Sequence, residues 1–401
     1  MIRNIGVFIN ENLYTGGGAK YEQTIIQYLE KINSNKFHFI YFSLNPKIIN
    51  VYKSIGINVI LIKENIIRKC IRFISRSFLI YSMMKKIKLI SNHIEKILLS
   101  FSIDLIYFIS PNKISLDIHS INYIFTLWDL CHRDYPEFPE VYKNREYDLR
   151  ENLYTHSLKK AISIITESEY NSKKIVEYYG IDKRRIKVID FISIPELYEV
   201  KDSNNSNLNI KSKYQIANDY IFYPAQFWAH KNHIYILKAI AILKEKYSVI
   251  LNALFSGGDM GNYEYVKESA IKLGVSSQVF FLGYVTPGEL YHLYKQCLAL
   301  VMPTYLGPTN IPPLEAMSIG IPVCYSSSLC ENINYSDSFY TIDLRYTDSL
   351  VNALISIINN NELKENKINL GLSYIESSKN DFKNKLLEIF EEFFLIRELW
   401  K

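Results

Sequence analysis

Cysteine is scarce in this chain and badly placed for cross-linking. The five residues among 401, Cys70, Cys131, Cys297, Cys324 and Cys330, are odd in number and show no C-x-x-C spacing. That argues against a disulfide framework and a structural zinc site, and a reducing cytoplasm suits such a chain best. Long apolar runs are missing as well. No stretch of roughly 18 apolar residues occurs, and MIRNIGVFIN at the start lacks the apolar core of a signal peptide. Neither a membrane span nor export by that route is expected. Charge of one sign hardly accumulates: 46 Lys+Arg against 41 Asp+Glu leave +5, too little for a protein that coats nucleic acid. What the chain does have is 48% hydrophobic and 22% charged residues, a globular composition with material for large cores. At ~150 residues per domain the length suggests two domains, or three if the parts are small.

Apolar runs of five to eight residues, rich in Ile, Val, Phe and Tyr, alternate with segments of helical spacing along the whole chain. Such alternation predicts parallel sheets covered by helices. The first half offers strands at Asn4–Ile9, Phe37–Phe42, Ile57–Ile62, Ile103–Phe108, Asn122–Leu127, Ala161–Ile165 and Ile186–Ile189. The second offers Tyr220–Tyr223, Val249–Phe255, Val279–Leu282, Cys297–Met302, Pro322–Tyr325 and Phe339–Ile342. Between the halves, Glu199–Asp219 contains the polar KDSNNSNLNIKSK and is read as a surface loop after a hinge near Ser193–Glu196. Asp381–Trp400 carries Phe382, Leu386, Ile389, Phe390 and Phe393 at helical spacing and predicts a long amphipathic helix.

Four segments at strand ends could carry chemistry. Thr15-Gly16-Gly17-Gly18-Ala19 lets the backbone approach a ligand before a helix begins near Tyr21. It is neither G-x-G-x-x-G nor a P-loop, and a plain flexible loop is the competing explanation. Lys231, in FYPAQFWAHKNH, follows the first strand of the second half, where open α/β sheets bind their ligands. It is a candidate phosphate clamp or a solvated helix start. In Met302–Val323, Pro312 and Pro313 open a helix, which leaves the amides of Thr309, Asn310 and Ile311 for ligand oxygens. Glu315 is expected in the first turn of that helix, as a functional carboxylate or a simple capping one. Leu127–Pro139 leaves a strand of the first half with Trp128, Asp129, His132 and Arg133, which could orient a polyol or phosphate, or merely belong to a packed loop.

Basic charge concentrates between Lys63 and Lys96. There Arg68, Lys69, Arg72 and Arg76 share one helical face, while Ile67, Cys70, Ile71, Ile74 and Phe78 share the other. The pattern fits a helix lying on an anionic bilayer, and equally a packed helix with a solvated basic face.

Taken together, VMPTYLGPTNIPPLEAMSIGIPV, FYPAQFWAHKNH, FLGYVTPGELYHLYKQCLALVMP and the weaker SEYNSKKIVEYYGIDKRRIKVI resemble the retaining nucleotide-sugar glycosyltransferases of family 4. The resemblance covers most of the chain. It implies the α/β GT-B fold: two Rossmann-like domains with parallel sheets facing across a cleft and a last helix crossing back to the first domain. The boundaries expected from it are 1–195 for an acceptor-binding domain, 196–380 for a nucleotide-sugar-binding domain and 381–401 for the returning helix. Glu315 matches the second glutamate of the family's E-x7-E motif, which holds ribose hydroxyls. Lys231 matches the diphosphate-neutralising lysine, and Thr309, Asn310 and Ile311 match the loop whose amides meet sugar and diphosphate. Gly17 and Gly18 resemble the N-terminal glycines near the phosphates; Gln226, Tyr305 and Pro308 complete the donor-side set. Three positions depart from the family pattern: Gly307 stands where the first glutamate would fall, Gln226 replaces a basic residue, and Trp128 replaces a histidine. GPTNIPPLEA and WDLCHRDYPEFP therefore mark a divergent, active subgroup.

The activity this implies is transfer of a sugar from a nucleotide diphosphate to a glycan or polyprenyl-linked acceptor with retention, in polysaccharide or O-antigen assembly. Lys231, Asp129 and Glu315 are the expected catalytic residues; Trp128, Asp129, His132, Arg133 and Glu169 are the acceptor-side candidates. No cofactor or metal is expected, since no D-x-D-like pair sits at a strand end. The expected location is the cytoplasm, at the inner face of the plasma membrane if the basic segment binds it. The rival is a non-catalytic sugar-nucleotide-binding subunit, motivated by Gly307 and Gln226.

Overall fold

The computed structural model describes residues 3–9, 17–32, 36–74, 93–190, 208–307, 310–331 and 333–400. They form two compact units, Met1–Leu130 with Tyr147–Ile189, and Cys131–Glu146 with Asp190–Lys401. The excursion 131–146 thus belongs to the second unit although its flanks belong to the first.

Every apolar run picked out above is a strand. The first unit holds β1 Arg3–Phe8, β2 Phe37–Ser43, β3 Val59–Leu61, β4 Ile103–Phe108, β5 Asn122–Thr126, β6 Ser163–Thr166 and β7 Ile186–Val188. They pair in parallel in the order β3-β2-β1-β4-β5-β6-β7. The second unit holds β8 Tyr220–Pro224, β9 Asn252–Ser256, β10 Val279–Gly283, β11 Ala299–Met302, β12 Val323–Ser326 and β13 Tyr340–Ile342, parallel in the order β10-β9-β8-β11-β12-β13. Helices covering both faces explain why SIIT, ALVM and VCYS are buried at every residue instead of alternating. Each large apolar side chain so enclosed contributes about 1.5–3 kcal/mol. Both orders place the first strand of the unit beside its fourth, which is the Rossmann-like arrangement.

Helix boundaries differ from expectation in four places. The first helix runs Gly17–Lys31, so Gly17 and Gly18 form its first turn and do not lie in the loop before it; Gly16 lies outside the described residues. The hinge near Ser193–Glu196 and residues up to 207 also lie outside them. The end of the expected polar loop is a helical turn, Ile210–Lys213, because Asn209 caps it by accepting the Ser212 N–H (2.9 Å) and Ile210 is buried. The Gln296 amide holds that turn through the Ile210 N–H (3.0 Å) and the Leu208 carbonyl (2.7 Å). Glu315 sits in the second turn of the helix Ile311–Ser318, since Asn310 is its N-cap and Ile311 its first residue. The terminal helix begins earlier than expected and spans Asn361–Arg397, with the Asn360 side chain capping the Leu363 N–H (3.0 Å). Its apolar stripe, Phe382, Leu386, Ile389, Phe390, Phe393 and Phe394, is buried.

Candidate functional site

The strand order of the second sheet reverses between β8 and β11, and chains leaving the carboxyl ends of two such strands diverge and open a crevice. Ala225–Asn232 leaves β8 and Pro303–Asn310 leaves β11. The first loop is held tightly. Phe227 donates its N–H to the Gly258 carbonyl (3.0 Å), and Gly257, at φ +154°, lies so close that a Cβ there would sit 2.4 Å from the Ala225 oxygen. Behind the loop, fully buried His233 packs among the rings of Phe227 (4.5 Å), Tyr223 (4.8 Å) and Phe255 (5.0 Å). Burial pushes its pKa down to about 3, so it is a neutral core imidazole. The loop ends in a tight turn, Ala229–Lys231, whose last carbonyl accepts the Tyr223 hydroxyl (3.0 Å).

These constraints bring Lys231 to the β11 loop, where its ammonium donates to Asn310 Oδ1 at 3.3 Å across 79 positions of sequence. Asn310 Nδ2 donates to the Gly307 carbonyl (2.7 Å) and the Tyr325 hydroxyl (2.7 Å), and that hydroxyl donates to the Gly307 carbonyl (3.2 Å). The His230 carbonyl accepts the Tyr305 N–H (3.0 Å), so the two loops are also joined through backbone. A charged donor, a polar cap and the start of a helix therefore meet at the switch point, a setting that favours an anion. The donors of the first turn are few, because Pro312 and Pro313 carry no N–H groups.

Gly307 has a structural reason to be glycine. Its φ is +94°, and a Cβ there would lie 2.8 Å from Asn310 Nδ2. Glu315 is buried, with one carboxylate oxygen accepting the Tyr294 hydroxyl at 2.6 Å. Gln226 lies in the β8 loop, where its carbonyl accepts the Trp228 indole N–H (3.1 Å) and its amide reaches the Tyr284 hydroxyl (3.4 Å). Pro308 and Thr309 lie outside the described residues. Gly17 and Gly18 belong to the first unit.

Sequence reasoning singled out 127–139 for the acceptor side and missed that the excursion 131–146 packs on the β8 and β11 loops. Its Glu140 carboxylate accepts the His230 backbone N–H (3.0 Å) and meets the His230 ring Nδ1. Burial pushes that carboxyl up, but the two His230 donors outweigh it and hold the pKa below the ordinary value. Phe138 packs on Tyr305 (5.5 Å) and His230 (6.1 Å), Tyr135 on Tyr305 (6.4 Å), and Cys131 Sγ accepts the Gly307 N–H (3.3 Å). Glu140 lies one residue beyond the WDLCHRDYPEFP stretch, and nothing local marks it.

The acceptor-side candidates divide. Trp128, Asp129 and Glu169 lie in the first unit, while His132 and Arg133 cluster with the second. Asp129 pairs with Arg150 (2.7 Å), His132 is buried, and Glu169 is exposed, 3.7 Å from Lys183. A fully buried carboxylate two residues from Glu169 escaped notice. Glu167 accepts the Thr166 hydroxyl (3.0 Å) and the Asn171 amide (2.7 Å), and Asn171 also reaches the Trp128 carbonyl (3.2 Å). Burial pushes the Glu167 carboxyl up to about 8 against those hydrogen bonds, with Asp129 adding to the rise.

In the basic segment, Asn65 caps the helix Ile66–Ile74 by accepting the Arg68 N–H (2.9 Å). Arg68 and Lys69 are exposed, and so are Ile66 and Ile67, at 79% and 68%. The Arg72 side chain, Arg76 and Phe78 lie outside the described residues. Among the described residues no helix is long and apolar enough to cross a membrane, and no group of three or more His, Cys, Asp or Glu could hold a metal ion.

Residues 207–371, which fall in the second unit, match the family model described as glycosyl transferases group 1. Among curated relatives, an uncharacterized glycosyltransferase of Methanocaldococcus jannaschii is 27% identical over 166 residues, 41% of this chain and 42% of that protein. A serotype-specific mannosyltransferase of Escherichia coli is 26% identical over 213 residues, 51% of this chain and 24% of that one. The chain thus spans less than half the length of these curated relatives. Among solved structures, Anabaena HepE in complex with UDP-glucose aligns with a TM-score of 0.71 at 15% identity, over 97% of this chain and 99% of that one. The fold is GT-B.

Proposed function

We propose that this chain is a retaining glycosyltransferase that takes a sugar from a nucleotide diphosphate and passes it to a glycan or polyprenyl-linked hydroxyl in cell-surface polysaccharide assembly. The observation that carries this reading is the convergence of Lys231 and Asn310 at the switch point of the second sheet, within the region that matches group 1 glycosyl transferases. The bond between anomeric carbon and phosphate oxygen breaks through an oxocarbenium-like state. Lys231 and the backbone amides of Asn310 and Ile311 offset the charge growing on the diphosphate, preorganised electrostatics of the kind that dominates many active sites. The acceptor oxygen attacks the same face, and the leaving phosphate takes its proton. The E. coli relative named as a mannosyltransferase supports a hexose donor, and the HepE complex supports a uridine nucleotide; a nucleotide panel decides the base. Thermal shift with UDP, GDP, dTDP and CMP is expected to single out one diphosphate, worth ~2.7 kcal/mol at 100 times its Kd. Lys231→Ala should erase that shift and the transfer activity. A panel in which no nucleotide stabilises the protein would sink the proposal.

A divergent subgroup is the version favoured here, with Asn310 filling the space beside Gly307 that the family's glutamate would need. The same feature favours the second reading, a subunit that binds sugar nucleotide without turnover; it predicts binding lost in Lys231→Ala but no product with any acceptor.

The helix Ile66–Ile74, with exposed Ile66 and Ile67 beside Arg68 and Lys69, supports peripheral contact with anionic lipid at the inner face of the membrane, where a polyprenyl-linked acceptor would reside. Charge reversal at Arg68 and Lys69 should lower binding to phosphatidylglycerol vesicles by about thirtyfold or more, at about 1 kcal/mol per basic residue removed; unchanged binding removes the membrane from the reading.

A further inference from the structure

Two loops carry the anion-facing groups of the second unit, and the excursion 131–146 grips both of them. Cys131 holds the Gly307 N–H, Phe138 and Tyr135 cover Tyr305, and Glu140 takes the backbone N–H and ring of His230, the residue immediately before Lys231. Glu140 and His230 side chains are only 11% and 12% exposed, so water competes weakly for their contact. Lys231 has a long flexible stem, and the turn from which it rises is pinned by the Lys231 N–H on the Trp228 carbonyl (3.2 Å), by the Tyr223 hydroxyl on the Lys231 carbonyl (3.0 Å) and, from outside that turn, by Glu140 on His230. We propose that Glu140 is a positioning residue for donor binding: by clamping His230 it fixes the start of the Lys231 side chain, and the excursion as a whole sets the shape of the diphosphate subsite. The proposal rests on the reading of Lys231 as the diphosphate clamp.

The contact acts on the diphosphate end of a donor and not on its base or ribose, so its loss should separate diphosphates from monophosphates. Hydrogen bonds to a charged carboxylate of this kind are worth enough to change affinity about tenfold. The experiment measures by calorimetry the affinities of UDP against UMP and GDP against GMP for the full chain and for Glu140→Ala, Glu140→Gln and Lys231→Ala. Glu140→Ala is expected to weaken the preferred diphosphate about tenfold while its monophosphate changes less than about twofold. Glu140→Gln keeps an oxygen that can accept the His230 N–H and should restore most of the loss. A Glu140→Ala protein that loses mono- and diphosphate alike, or neither, overturns the proposal. If Glu140→Ala does not fold, Glu140→Asp withdraws the carboxylate by one methylene and carries the same comparison; an unchanged diphosphate preference there overturns it too. The lysine is tested separately. If Lys231→Ala leaves the diphosphate preference intact, the reading of Lys231 fails and this inference with it, whereas a loss in Lys231→Ala without one in Glu140→Ala overturns Glu140 alone.

Discussion

The two sheets reverse their strand order in the same way, β1 beside β4 in one and β8 beside β11 in the other, yet their carboxyl ends hold opposite kinds of chemistry. In the second unit the ends carry a half-buried ammonium, an amide and a clamped histidine. In the first they carry a sealed network: Glu167 and Asn171 are fully buried, and Tyr21 and Tyr107, also fully buried, have their hydroxyl pKa values raised by that burial. Topology supplies a crevice in both, but only the loops decide whether the crevice presents charge outward or hides it. A half-buried cation at a loop serves an incoming anion with little cost to stability, whereas a hidden carboxyl couples to folding through its proton.

That contrast is broken most directly by Lys231→Ala. The expected loss is about a hundredfold in transfer rate, the scale of removing one preorganised electrostatic group, with the denaturation midpoint little changed because the side chain is not part of the core. A large fall in stability would mean that Lys231 is structural after all. Glu167→Gln tests the other side. The folded carboxyl keeps its proton up to about 8 while the unfolded one loses it near the ordinary value of 4.5. Between those values the native state binds the extra proton, so stability is fully present at low pH and falls as pH rises through the window. Urea titrations at several pH values should show the wild type losing on the order of a few kcal/mol relative to Glu167→Gln between acid and mildly alkaline pH. Parallel curves for the two proteins would mean that Glu167 is ionised in the fold.

The strands were readable because parallel strands covered on both faces must be apolar throughout, and IDLIYF or YIFYP has few other uses. Candidate site residues could be placed from the sequence where a chain leaves a strand end, as at Lys231 and Asn310, which the fold brings together. What stayed hidden has a tertiary cause. Glu167 and Glu169 look alike in ITESEY, and only the packing of Trp128, Asn171 and Tyr21 around the first separates a buried acid from a solvated one. Glu140 gains its meaning from a residue 90 positions away. The Glu315 register slipped by one because the two prolines suggested a helix start that Asn310 makes one residue earlier.

Gly307 sharpens the comparison at the smallest scale, since it is where a loop of the second unit meets a backbone constraint like those of a core. Its φ of +94° is strained for any side chain, and a Cβ would collide with the amide of Asn310, the group that receives the Lys231 ammonium. Gly307→Ala should therefore lower stability by about 1–3 kcal/mol and, by displacing Asn310, weaken diphosphate binding several-fold. Gly307→Glu, the residue that the resemblance to family 4 calls for at this position, should do no better, because Asn310 fills the space beside Gly307 and the backbone here follows a path that only glycine takes without strain. If Gly307→Glu instead folds as well as the wild type and turns over faster, the Asn310 arrangement is a substitute for the glutamate and not an alternative built around its absence.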